Sequence, residues 1–431
     1  MPNNEIRVVV TGLGVISPNA IGLPAFELAL RQGKSGIRFL EELAEKNFAC
    51  QIGGKPEVSD TLKEKYFSPV QVKMLRSESI IFGTLAGLEA WEHAGFKIPA
   101  DKDTLPDWDT GCIMGTGQAA GEIIKRNLYL INEGNVRRLG SGAVDQGMIS
   151  GVSAHLGGIL GLGNQVTTNA SACATGTEAI LNGYERIRSG LARRMIVGSC
   201  ESPDPFVWGG FDSMRVLTRK YNDQPEAGSR PMSASASGFV PGGGAGALVI
   251  ESLETALERG AKIYGEILGG NINSGGQRGS GSMTAPNGEG VQRCIQGALD
   301  FCKISADEID AISGHLTSTM ADPQEITNWA KALKRKGKNF PYIHSLKSMI
   351  GHCLSAAGAI ESVAALLQLE KGFFHASLNS EDIHPEIAQI VDADKIPQQL
   401  VTKTDFNIIA KSSFGFGDVN TCIIFKRWEN N

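Results

Sequence analysis

The chain has 431 residues, with 41 Lys and Arg against 46 Asp and Glu and a formal net charge of -5 when histidine is neutral. That length exceeds what one simple hydrophobic core supports, so two packed domains or one fused α/β domain is expected. The slightly negative charge offers no general attraction to phosphate backbones or anionic lipid, which argues against nucleic acid and membrane surfaces as partners. No run of roughly 18 apolar residues is present, and the polar start leads directly into Ile6–Val10 without a basic or long apolar leader, so a cytoplasmic location is expected.

In chain order, short apolar runs of strand character fall at Arg7–Val10, Met195–Val197, Ala247–Ile250, Ile263–Ile267, Ala311–Ser313, Tyr342–His344 and Thr421–Phe425. Helical patterns alternate with them at Ser79–Ala94, Glu178–Ser189, Val291–Phe301 and Ile360–Glu370. This alternation predicts an α/β fold whose buried sheets are covered by helices. The 53 glycines gather at element ends rather than in a low-complexity tract, so no flexible linker is expected. Gly238–Glu251 and Phe414–Lys426 each place a glycine-rich turn before a strand, and each closes a half-chain. The spacing suggests two copies of one α/β unit, 1–255 with insertions and 256–431.

Several motifs resolve into ordinary structure. Gly33-Lys34-Ser35 ends like a phosphate loop, but Leu28 stands where the loop glycine is required, and a helix C-terminus is the better reading. Gly12-Leu13-Gly14 has Ser17 at the third glycine position of a dinucleotide site, which leaves a tight strand-to-loop turn. Neither G-x-S-x-G nor H-E-x-x-H occurs, and the basic run Lys331–Lys338 reads as a solvated helix end. The eight cysteines form no C-x-x-C pair and no histidine cluster at ligand spacing, so no metal is expected and each is read as reduced.

Val166–Ile180 sets one cysteine, Cys173, among Ala, Ser, Thr and Gly where a strand gives way to an amphipathic helix. Small neighbours leave room for a carbonyl to reach the sulfur. The helix N-terminus presents unpaired N–H groups and positive potential, so a lowered thiol pKa is expected. Two further strand ends lead into histidines: Ile309–Ser313 into Gly314-His315-Leu316-Thr317-Ser318-Thr319, and Tyr342–His344 into Ser345–His352. In α/β sheets that edge is where ligands bind.

These three segments, with Val10–Pro18 and Ser413–Gly417 followed by Asn420, resemble the β-ketoacyl-acyl carrier protein synthases nearly end to end, closest to the II-type condensing enzymes. The resemblance implies a thiolase-like fold: duplicated α/β units in a five-layered α-β-α-β-α architecture. It implies an acyltransferase, a 3-oxoacyl synthase that joins malonyl-ACP, by decarboxylative Claisen condensation, to an acyl group held on Cys173. His315 and His352 complete the catalytic triad, Lys347 and Glu361 match its supporting polar pair, and no cofactor is required. Thr317 and Thr319 match residues beside the pantetheine arm, Phe414 and Phe416 match the substrate-facing C-terminal turn, and Phe416 matches a mobile gate. The backbone N–H groups of Cys173 and Phe416 would form the oxyanion hole.

The implied partner is an acidic acyl carrier protein, with Lys73, Arg76 and Arg215 as its docking surface, and the implied assembly is a homodimer or a heterodimer with a sister subunit. Leu316 and Asp418 stand where the family has glycine, and the stretch from His315 to Asp322 is one residue short, departures that bear on the substrate rather than the reaction. Gln118 falls at the far end of the acyl tunnel, where a polar side chain disfavours a long saturated chain. A shorter, unsaturated or aryl-primed acyl group of fatty acid, polyene or pigment metabolism is expected. The other class considered is a non-catalytic, chain-length-factor-like partner, which would lack the nucleophile.

Overall fold

The computed structural model describes residues 5–100, 105–118 and 120–429. Its first five principal strands are β1 (Val8–Ser17), β2 (Thr110–Thr116), β3 (Val166–Thr167), β4 (Arg194–Glu201) and β5 (Gly244–Ser252), interleaved with helices α1 (Glu78–His93), α2 (Gly151–Leu160) and α3 (Thr175–Arg188). The last five are β6 (Gly265–Ser274), β7 (Ala311–Ser313), β8 (Tyr342–His344), β9 (Ile408–Gly415) and β10 (Val419–Lys426), interleaved with α4 (Gly288–Cys302), α5 (Asp322–Leu333) and α6 (Ala357–Lys371).

All ten belong to one 11-stranded sheet in the order β8-β7-β9-β10-β6-β1-β5-β4-β2-β3. Read from either edge, each half runs third, second, fourth, fifth, first strand of its own set. Pairing is parallel for β3/β2/β4 and for β8/β7/β9, and antiparallel for the strands that follow. The duplication expected from the two glycine-turn strands is therefore present, with β5 and β10 as its equivalents. The two first strands join antiparallel at Val8–Val10 against Gly265–Ile267.

Five layers result. Helices α1 and α2 cover the outer face of the first half through Ile80, Leu85, Leu156 and Leu160. Helices α4 and α5 cover that of the second through Val291, Ile295, Ile326 and Trp329. Between the halves lie α3 and α6, whose Ile180, Leu181, Ile360 and Val363 share one core with Val197 of β4 and Ile409 of β9. No helix among the described residues is long and apolar enough to cross a membrane.

Glycine sets two close approaches. Gly12 and Gly14 do not turn the chain out of β1 as the sequence suggested; they stay within it, at and just beyond a register shift between Val10 and Gly12. A Cβ there would lie 2.1 Å from Ala90 O and 2.0 Å from Ala86 O, so the glycines let α1 lie directly on the strand. In the centre, a Cβ on Gly358 of α6 would lie 2.6 Å from Thr177 N, and one on Gly176 of α3 would lie 2.5 Å from Ala359 N. Gly358→Ala is expected to destabilise the protein by about 1–3 kcal/mol through overpacking, read as a fall in the urea midpoint at constant slope. Gly158→Ala in α2, whose Cβ meets nothing within 4 Å, is the control and should be neutral or stabilising.

Candidate active site

Beyond β3 the chain reaches Cys173 through a turn with Ala172 in the left-handed region, φ 49°. Thr175, at the start of α3, holds that turn: its Oγ1 donates to Ala172 O at 2.6 Å and accepts from Ser171 N at 2.9 Å. The strained residue precedes the sulfur directly, as backbone strain does at functional positions. Gly415 closes the other side, where a Cβ would lie 3.2 Å from Cys173 N. The next residue, Phe416, turns its backbone N–H to Cys173 Sγ.

Past β7, the His315 and Leu316 N–H groups each donate to one oxygen of Glu325, both at 2.7 Å. The Thr317 and Ser318 N–H groups donate to Asp322 at 2.8 and 3.0 Å. Two carboxylates from the first turn of α5 thus hold the whole histidine loop. Past β8, His352 lies in extended backbone, donating its N–H to Val240 O at 2.7 Å and accepting from Gly242 N at 2.9 Å. Its Nδ1 accepts the Leu354 N–H at 3.2 Å, which leaves the ring proton on Nε2, 3.1 Å from Cys173 Sγ. The His315 ring meets the His352 ring edge-on at 5.3 Å between centroids. The Cys173 sulfur and one ring nitrogen from each of His315 and His352 lie within 4.8 Å of one another.

Such spacing also describes a metal donor set. His352 does not fit one, because Nδ1 is taken up by the Leu354 N–H and Nε2 carries a proton rather than a free lone pair. Both histidines are held well below the ordinary imidazole range, first by burial and then by the positive charge of Lys347. Both are therefore neutral at physiological pH, and the Nε2–H of His352 points into the small space beside Cys173.

Behind them, Lys347 Nζ lies 2.5 Å from Glu361 Oε1, with both side chains 1% exposed. The opposite oxygen, Glu361 Oε2, faces Lys411 Nζ at 2.8 Å, and Lys411 is 0% exposed. Lys411, Glu325 and Asp322 were not anticipated. The signal for the first was a lysine inside the otherwise uncharged run Ile408–Gly415; for the others it was two acids one helical turn apart just after the histidine motif.

The thiol departs from expectation. Burial pushes Cys173 up to about 12, with Lys347 and the Phe416 N–H pulling the other way without prevailing. Cys173 precedes α3 by two residues in a closed pocket, so desolvation outweighs the helix terminus. Alkylation of Cys173 by iodoacetamide should therefore rise about tenfold per pH unit from pH 6 to 10. A plateau near neutrality would show a preformed thiolate instead.

Among the remaining sequence candidates, Thr317 and Thr319 are half-buried and joined Oγ1 to Oγ1 at 2.9 Å. Phe414 packs edge-on against His315 at 6.0 Å, and Phe416 against Phe211 at 5.8 Å. Gln118, Lys73, Arg76 and Arg215 are exposed. Leu316 turns away from the site: fully buried, it joins the outer core with Trp329 and Ile312. Asp418 adopts φ 61° and is buried, its carboxylate accepting the N–H groups of Gln277 at 2.9 Å and Asn287 at 2.8 Å. Both departures from glycine are thus absorbed by the fold.

Comparison with known proteins agrees with this geometry. The sequence profile of the beta-ketoacyl synthase N-terminal domain matches residues 5–256, and that of the C-terminal domain matches 264–381. The chain is 32% identical over 427 residues to the chloroplastic 3-oxoacyl-acyl-carrier-protein synthase I of Arabidopsis thaliana, covering 98% of this chain and 87% of the relative. Among solved structures, the ishigamide ketosynthase/chain length factor superposes with TM-score 0.87 at 27% identity, over 99% of this chain and 100% of that one. A type II PKS ketosynthase in complex with its acyl-carrier protein superposes with TM-score 0.85 at 29% identity, with the same coverage. The chain therefore belongs to the beta-ketoacyl synthase family, acyltransferase-type condensing enzymes of thiolase-like fold.

Proposed function

We propose that the protein catalyses decarboxylative Claisen condensation of malonyl-ACP with an acyl group held on Cys173. The observation that carries this reading is the meeting of one sulfur and two neutral imidazoles, with His352 Nε2 3.1 Å from Cys173 Sγ. The Cys173 sulfur attacks the thioester carbonyl of acyl-ACP as its thiol proton is given up and passes to the departing carrier sulfur. The oxyanion is held by the Cys173 and Phe416 N–H groups, and the carrier thiol leaves; one such donor is worth roughly 3 kcal/mol. Malonyl-ACP then loses CO₂, and the electron pair of the broken C–C bond moves into an enolate whose oxygen accepts the His315 and His352 N–H groups. The enolate carbon attacks the acyl-Cys173 thioester, forming the new C–C bond and releasing the thiolate and 3-oxoacyl-ACP.

In this reading the chain divides at 255/256 into a half carrying the nucleophile and a half carrying both histidines. Lys347 and Glu361 support the triad, and Thr317, Thr319, Phe414 and Phe416 line the path of the pantetheine arm and malonyl group. The acidic carrier docks on Lys73, Arg76 and Arg215. Two chains form a homodimer, across which Gln118 limits the acyl group to a shorter, unsaturated or aryl-primed one. A non-catalytic partner subunit is disfavoured by the presence of Cys173, His315 and His352 together. The test supplies malonyl-ACP with octanoyl-, dienoyl- and hexadecanoyl-ACP and follows CO₂ release and the mass of the carrier-bound product. A 3-oxoacyl-ACP, formed more slowly from hexadecanoyl-ACP, is expected. Absence of any such product would overturn the reaction, and preference for hexadecanoyl would overturn the chain-length reading.

A further inference from the structure

The turn that joins β9 to β10 is Phe416-Gly417-Asp418, between the paired Gly415 and Val419. Its first residue turns a backbone N–H to Cys173 Sγ. Its last, Asp418, is 0% exposed and has φ 61°, a conformation that glycine enters freely and Asp tolerates. The backbone alone therefore does not ask for a carboxylate here. A buried carboxylate does ask for donors, and two come from one place: Oδ2 accepts the Gln277 N–H at 2.9 Å and Oδ1 the Asn287 N–H at 2.8 Å.

Gln277 and Asn287 belong to the segment 275–287 that carries the chain from β6 to α4. Most of this segment is exposed, yet it is shaped around the Asp418 side chain. A Cβ on Gly275 would lie 2.3 Å from Asp418 Oδ2, and one on Gly281 would lie 2.5 Å from the same oxygen. Backbone bonds add to the clasp: the Gly275 N–H donates to Asp418 O at 3.0 Å, and the Gly417 N–H donates to Met283 O at 2.8 Å. Asn287 also caps α4, its side chain accepting the Glu289 N–H at 3.0 Å, and so anchors the segment to the outer helix layer. A run of hydrogen bonds thus leads from the start of α4, through Asp418, to the turn whose N–H meets the sulfur.

We propose that Asp418 is a positioning residue for the acyl transfer proposed above: its carboxylate fastens the Phe416 turn to segment 275–287 and so holds the Phe416 N–H against the Cys173 sulfur. The inference rests on the reading of that N–H as an oxyanion donor. Such a donor contributes only if it is already in place when charge develops. A short turn with Gly417 at φ 87° in its centre has little stiffness of its own.

The test is backbone hydrogen exchange resolved by residue, which needs no turnover, combined with acylation kinetics. Asp418→Gly keeps the backbone conformation and removes the carboxylate. Gly281→Ala leaves Asp418 in place and drives a methyl against it from the loop side. In both, exchange at Gln277 and Asn287 is expected to rise, as loss of an acceptor alone would cause. The proposal requires exchange at Phe416 to rise with it by about tenfold, while amides of β4 such as Val197 stay unchanged. With octanoyl-ACP, kcat for acylation of Cys173 should fall about tenfold in both variants, part of what losing the donor outright costs, with KM within about twofold of the parent. Unchanged exchange at Phe416 beside a rise at Gln277 and Asn287 would overturn the proposal, as would an equal rise across β4 or a loss confined to KM. Should Asp418→Gly not fold, Gly281→Ala, altered only in an exposed segment, decides by the same readings. A linked rise at Phe416 in a protein that takes no acyl group from its carrier would leave the fastening by Asp418 standing and remove the acyl-transfer reading instead.

Discussion

Cys173→Ala is expected to leave a folded protein that forms no acyl-enzyme and condenses at least about 10⁴-fold more slowly, since removing a nucleophile discards the covalent route entirely. No neighbouring thiol replaces it. Cys353, the nearest in sequence to His352, is 0% exposed, and its sulfur points to the Ile350 carbonyl. The variant removes one sulfur from a side chain already 9% exposed, so the loss in stability should be about 1 kcal/mol or less. Intact mass after incubation with acyl-ACP should show no adduct, with a melting temperature close to the parent. An adduct on the alanine variant would place the nucleophile elsewhere.

Glu361→Ala is expected to be the most destabilising of the site substitutions. The carboxylate stands between Lys347 and Lys411, which are 1% and 0% exposed. Removing one partner of a buried ion pair costs about 3–5 kcal/mol, and here two ammonium groups lose the same partner. The urea midpoint should fall accordingly. The sign of its pH dependence follows from the chemistry: burial lowers Lys411, and without its carboxylate partner it is easier still to deprotonate folded than unfolded, so the unfolded chain binds more protons. The deficit relative to the parent should therefore shrink as pH rises from 7 towards 10. A constant deficit across that range would point to lost packing rather than stranded charge.

Much of this was legible in the residues themselves. Ala311–Ser313 and Tyr342–His344 have the strand bounds their apolar character gave. Thr110–Thr116 and Ile408–Gly415 went unread because Gly, Ser, Cys and one lysine dilute the apolar signal, and only sheet neighbours on both sides make them strands. Cys173, His315 and His352 stood out because each follows a strand end in a short motif, whereas Lys347 and Glu361 were named only through the family resemblance. Glu325 was not, because its meaning lies in reaching ten residues back to two backbone N–H groups. Nor was the ionisation of Cys173, where closure of the pocket, invisible in sequence, decides against the helix terminus.

The matching strand order of the two halves bears on why a single polypeptide is needed. Cys173 follows the third strand of the first half and precedes α3; His352 follows the third strand of the second and precedes α6. Gly176 and Gly358, each the second residue of its helix, pack against one another's backbone. Sulfur and imidazole thus occupy corresponding stations on either side of a pseudo-twofold axis. An assembly of two identical halves would be obliged to set the same side chain at both, thiol facing thiol or ring facing ring. Covalent fusion releases that constraint and lets a thiol stand at one station and an imidazole at its counterpart.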